Sequence, residues 1–143
     1  MTRVDFYVLK AGSARQRSVF ACRLTEKAFG LGHKIYLHTG SGKQTHQLSE
    51  LLWTFRDGSF VPHLEFDQSA AHDSDDDTPV HIGHGDEPGQ HADLLINLAD
   101  EVPLFFSRFE RVAEIVAADS RDHARDRFRF YRDRGYALET HNL

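Results

Sequence analysis

A chain of 143 residues has the length of one domain and can bury a core without disulfide or metal staples. Its apolar share of 40% and charged share of 27% are those of an ordinary globular protein, and no apolar run approaches the roughly 20 residues that cross a bilayer. One cysteine, Cys22, excludes an internal disulfide and fits a reducing cytoplasm, while a formal net charge of −5 argues against a protein whose main work is holding nucleic acid.

In chain order, Val4 to Leu9 (VDFYVL) is β-branched and aromatic and reads as a buried first strand that Gly12 and Ser13 end. From Ala14 to Phe29 the apolar positions Phe20, Leu24 and Ala28 recur at helical spacing, and Gly30 and Gly32 stop the helix. Lys34 to His38 is a short second strand. Strand, helix and strand joined by tight turns predict a βαβ unit and a parallel sheet. A second helix is expected from about Lys43 to Phe55, with Leu48, Leu51, Leu52 and Phe55 as its apolar stripe. A turn at Asp57-Gly58 then brings Trp53 and Phe60 close together. Residues 67–78 are polar and acidic and read as a surface loop. Val80 to His84 is a short strand, and Leu94 to Leu98 (LLINL) is an apolar run of the kind buried on both sheet faces. After Pro103 comes a helical turn, then a strand over Arg111 to Val116. A last helix follows from Arg121 to about Arg134, with Ser120 as N-cap and Gly135 beyond its end. The tail from Tyr136 to Leu143 is polar and is given no regular structure. With no internal repeat and no linker, the chain reads as one α/β domain over residues 1–143, a Rossmann-like, mostly parallel sheet flanked by helices.

The familiar chemical signatures are missing. The first strand leads into KAGSARQR, without the glycine spacing of a dinucleotide or phosphate loop, and Gly40-Ser41-Gly42-Lys43 is too short to cradle a pyrophosphate. His81, His84 and His91 with Asp93 lack the spacing of a helical zinc motif, so no metal site is expected. No nucleophile elbow and no activated cysteine is present, so neither catalysis nor a cofactor is expected.

Charge is placed unevenly. Asp73 to Asp77 is acidic, whereas Arg121 to Arg134 carries six arginines against three aspartates. On the last helix Arg121, Arg125, Phe128 and Arg132 follow at i, i+4, i+7 and i+11, along one stripe, with Ala124 and Tyr131 beside it. Guanidinium groups flanking an aromatic ring suit a peptide that ends in a carboxylate beside an apolar side chain. The same pattern also fits a solvated helix face with surface ion pairs, Arg125, Asp126 and Arg129 among them. Trp53 with Phe60, Val61 and Pro62 reads either as core aromatics at a helix end or as an anchor for a partner.

At these residues the chain resembles the chi subunit family of bacterial DNA polymerase III. The likeness rests on DFYVL, on LLWTFRDGSFVPH (Leu51 to His63), on ADLLINL (Ala92 to Leu98) with the phenylalanine-rich segment after it, and on ARDRFRFYRDRGY (Ala124 to Tyr136). The resemblance implies a Rossmann-like fold without nucleotide binding or catalysis. It also implies a heterodimer with the psi subunit that tethers the chain to the clamp loader. A further implication is binding of the acidic C-terminal tail of single-stranded DNA-binding protein, which ends in phenylalanine. By motif, Trp53 and Phe60, with Val61 and Pro62, fall where the family meets psi or an alternative repair-helicase partner. Arg121, Arg125 and Phe128, with Val116 and Thr140, fall in the tail-binding pocket. Arg121 and Phe128 depart from the family's frequent lysine and tyrosine. DNA would be contacted only indirectly. The competing readings are a direct single-stranded DNA binder, which needs a row of stacking aromatics, and an enzyme on a degenerate nucleotide-binding fold.

Overall fold

The computed structural model describes residues 1–10, 12–66 and 78–143. Seven strands form one sheet: β1 (Arg3–Val8), β2 (Ile35–His38), β3 (His63–Glu65), β4 (Val80–Gly83), β5 (Leu94–Asn97), β6 (Arg111–Val116) and β7 (Ala137–Asn142). Every pairing is parallel, in the order β3-β4-β2-β5-β6-β1-β7. Helices α1 (Ala14–Gly30) and α2 (Gly42–Thr54) cover one face. Helix α3 (Arg121–Asp133) covers the other, with the 3-10 turn at Phe106–Arg108.

Alternation along each strand feeds two cores, because successive side chains leave a strand on opposite faces. In β6, Ala113 and Ile115 join Ala21 and Cys22 of α1 and Leu48 and Leu52 of α2. Val112 and Val116 join Val4 and Phe6 of β1, the Phe105–Phe109 segment, and Ala124 and Tyr131 of α3. This double burial explains why β2 and β4 are buried at every position.

Helices α1 and α2 begin where side chains satisfy amide groups at the helix start. At α1, Ser13 and Gln16 form a capping box. At α2, Ser41 Oγ accepts from the Gln44 amide at 3.2 Å. The Gly40 amide donates to Gln44 Oε1 at 2.8 Å, so Gly40-Ser41-Gly42 is engaged in starting a helix. Ser120 stands at the N-cap of α3, but its hydroxyl donates to the Ala117 carbonyl at 3.3 Å and makes no cap bond. Gly135, with φ of +79°, lets the chain turn after α3, and the Tyr136 amide closes back on the Tyr131 carbonyl at 3.2 Å.

Two elements differ from the sequence expectation, and both are margins of the sheet. The polar tail forms β7, paired with β1 from Arg3↔Ala137 to Val8↔Asn142. HLE at residues 63–65 forms β3 on β4. Edge strands bury one side at most, so neither carries an apolar run. The expected loop at 67–78 lies outside the described residues except for Thr78, as does the acidic segment Asp73 to Asp77.

Candidate functional site

Helix α3 meets the sheet through a buried ionic knot. Arg127, 2% exposed, donates from Nε to Glu114 Oε1 at 2.8 Å, and Glu114 in β6 is fully buried. Tyr131 Oη donates to Glu114 Oε2 at 2.7 Å, Asn97 Nδ2 to the same oxygen at 3.0 Å, and Arg127 Nη1 to the Asp100 carbonyl at 3.1 Å. Burial and the adjacent Glu114 carboxylate hold the Tyr131 phenol well above its usual range, so it stays a donor. The knot fixes the axial rotation of α3 and thereby the direction in which its other side chains point. Sequence reasoning gave Arg127 and Glu114 no role. Their signal was present as a charge on each buried face: Glu114 in the middle of RVAEIV, and Arg127 on the side of α3 that carries Ala124 and Tyr131.

With α3 held this way, Val116, Arg121, Arg125, Phe128 and Thr140 converge on one open hollow of about 190 Å³. Phe6, Val8 and Ala124 complete its lining. Buried Phe6, Val116 and Ala124 form an apolar floor. The half-buried Phe128 ring stands against Phe6 edge-on, with centroids 5.3 Å apart. Arg121 and Arg125 are exposed at the rim, and among the described residues no acidic side chain lines the hollow. Arg125 makes only a loose 3.4 Å contact with Asp122, both of them exposed. The geometry can therefore seat one apolar side chain with two guanidinium groups free to meet carboxylates. Arg132, the fourth member of the sequence stripe, turns instead to Asp133 at 3.1 Å. Arg129 pairs with Asp126 at 3.6 Å. Phe6 and Val8 were read only as strand residues; their alternation was the clue that they face α3.

The Trp53 group lies at the opposite margin. Phe60 is 80% exposed and Trp53 50% exposed, both unusual for large aromatics. The ring that Trp53 meets is that of His63, with centroids 4.2 Å apart. The His63 ring lies between two carbonyls, Val61 at 2.8 Å from Nδ1 and Ser49 at 3.0 Å from Nε2. Phe60 and Pro62 face outward while Val61 between them is 1% exposed in the core, so Val61 holds the segment and offers no contact surface. The loop before Phe60 is tied to α1 by Arg56 Nη2 on Glu26 Oε2 at 2.6 Å.

The histidines considered for a metal are engaged separately. The His81 and His91 rings stack at 4.0 Å, His91 Nε2 donates to the Thr78 carbonyl at 2.8 Å, and Asp93 accepts from the Lys34 amide at 2.8 Å. Among the described residues, Asp5, Glu139 and His141 bring ligand-type atoms within 4.8 Å of one another. Arg3 and Arg111 already neutralise those carboxylates. The buried Cys22 thiol is pushed up to about 12 by desolvation, which leaves it un-ionised and unreactive.

The family model described as DNA polymerase III chi subunit, HolC, matches residues 1–139. The chain belongs to the DNA polymerase III chi subunit family. It is 46% identical to DNA polymerase III subunit chi of Pseudomonas aeruginosa over all of this chain and 98% of that protein. Identity to the chi subunit of Haemophilus influenzae is 30%, over 97% of this chain and 96% of the relative. For the Escherichia coli chi subunit it is 27%, over 83% and 80%. Among solved structures, domain 2 of the DEAD-box helicase Mss116p, bound to an RNA duplex, superposes with a TM-score of 0.65 at 12% identity. That match covers 97% of this chain and 64% of the helicase chain, and it speaks to the α/β fold alone.

Proposed function

We propose that this chi-family chain is a non-catalytic adaptor of the replicative polymerase in the cytoplasm, joining the clamp loader through psi to the acidic tail of single-stranded DNA-binding protein. One observation carries the reading. The five residues assigned to tail binding come from β6, α3 and β7, and they line a single apolar hollow with exposed guanidinium groups at its rim. A terminal phenylalanine fits the floor, its carboxylate and the preceding acids fit Arg121 and Arg125, and the overall charge of −5 leaves DNA itself a poor ligand. Exposed Phe60, Trp53 and Pro62 support a second protein contact at the far margin, where psi or a repair helicase would sit.

Calorimetry with a peptide ending in Asp-Asp-Ile-Pro-Phe tests the reading. Affinity should fall as salt rises, and Arg125→Ala should weaken binding by about 1–3 kcal/mol. An unchanged affinity in that variant would remove the hollow as the docking site.

A further inference from the structure

On the other side of β1 from the Phe128 hollow, the start of α1 and the ends of β1 and β7 enclose a larger groove of about 670 Å³. Lys10, Arg15 and Arg23 line it, with Leu9, Val19 and Phe20 between them, and among the described residues no acidic side chain contributes. Arg15, Val19 and Arg23 fall at i, i+4 and i+8, so α1 presents one stripe of alternating charge and apolar surface. Arg3, Arg56, Arg108, Arg111, Arg129 and Arg132 all have carboxylate partners. Among the described residues Lys10, Arg15 and Arg23 have none; Lys27, Lys34, Lys43, Arg121 and Arg134 also lack one, but the first three gather around one groove and are exposed on an acidic protein. An uncompensated group of three cations around an apolar strip calls for an anionic chain as its complement.

The two hollows share a strand end. Val8 lines the first and Leu9 the second, and the Leu143 amide donates to the Val8 carbonyl at 3.0 Å where β7 closes the margin. Val8 and Leu9 are consecutive and leave the strand on opposite faces, so the two hollows adjoin at this strand end, and an extended peptide advances about 3.3 Å per residue. A peptide whose terminal residue sits against Phe128 therefore reaches the groove with the residues just before it. We propose that Lys10, Arg15 and Arg23 form a second seat for the acidic stretch that precedes the terminal residue; the inference rests on the tail-binding reading above. A nucleic-acid strand fits less well. The groove's one aromatic, Phe20, is half-buried against Tyr7 at 5.4 Å, so no ring stands free for base stacking.

Fluorescence anisotropy at low salt with labelled Asp-Asp-Asp-Asp-Ile-Pro-Phe and its neutral counterpart Asn-Asn-Asn-Asn-Ile-Pro-Phe decides the matter. The native chain should prefer the acidic peptide by about tenfold, in line with several modest charge contacts. In Lys10→Gln/Arg15→Gln/Arg23→Gln that preference should fall to about twofold, with the neutral peptide bound as before and the melting temperature unchanged. A triple variant that keeps the full preference overturns the proposal. So does a labelled oligo(dT) that loses binding in the triple variant while the peptides do not. If Arg125→Ala binds both peptides as the native chain does, the Phe128 hollow is the reading that fails, and the groove proposal falls with it.

Discussion

Arg125 and Arg127 lie two positions apart on α3, yet replacing them should have opposite consequences. Arg127→Leu removes a cation that is 2% exposed and keeps much of its aliphatic volume, leaving the fully buried Glu114 carboxylate without its counter-charge. Breaking such a pair from one side costs about 3–5 kcal/mol. The hydroxyl of Tyr131 and the amide of Asn97 still donate to Glu114, which places the expected loss near 3 kcal/mol. Against a typical domain stability of about 5–15 kcal/mol, that is readily resolved in urea unfolding followed by circular dichroism. Adding Glu114→Gln should recover about half or more, because a neutral amide oxygen can still accept from both donors while the stranded charge disappears. Arg125→Ala, 70% exposed and loosely paired, should stay within about 0.5 kcal/mol of the native stability. A loss below about 1 kcal/mol for Arg127→Leu, or no recovery in the double variant, would refute the view that a buried charge pair fixes α3.

Three further outcomes can be checked with the same unfolding experiment. A Cβ at Gly83 would collide with the Tyr36 hydroxyl and lie 3.2 Å from the Phe66 carbonyl, so Gly83→Ala should cost about 1–3 kcal/mol. Part of that should return in Tyr36→Phe, since the lost hydroxyl has no hydrogen-bond partner among the described residues. His38 is lowered to about 4, chiefly by burial and then by His84. The unfolded chain therefore takes up a proton below about pH 6.5 that the folded chain refuses until about 4. Stability should drop by up to roughly 3 kcal/mol as pH falls through that window, and His38→Phe, packed beside Tyr36 and Phe105, should flatten the slope. Phe60→Ala should leave stability within about 0.5 kcal/mol, since the ring is 80% exposed, while calorimetry with purified psi should show binding sharply weakened.

Legibility in the sequence tracked burial. β2, β5 and β6 have apolar residues on both faces; β5 was recognisable from a continuous apolar run, and β4 and β6 from alternation. β3 and β7 bury little, and nothing in HLE or ALETHN separates an edge strand from a loop until β4 and β1 are in place beside them. Within the candidate site, the helical spacing of Arg121, Arg125 and Phe128 announced a shared face, but it extended that face to Arg132, which turns away to Asp133. Local spacing cannot report which residues of distant strands form the floor. Thr140 and Val116 entered through family likeness, and Phe6 and Val8 only through the fold. Arg127 escaped notice because a charge on a helix usually faces water, and its partner stands 13 residues earlier on another element.

The order of the strands also sets a spacing between visitors. Phe60 leads into β3 and the Phe128 hollow spans β6, β1 and β7, so most of the breadth of the sheet lies between them. Five inter-strand steps of about 4.8 Å, from β3 to β1 beneath the hollow, amount to about 24 Å, and the accumulated twist turns the two margins to look in different directions. A domain-sized guest at one margin leaves the other uncovered. Under the proposed function, the two docking margins are far enough apart for both guests to be held at once, with neither obliged to leave for the other to arrive.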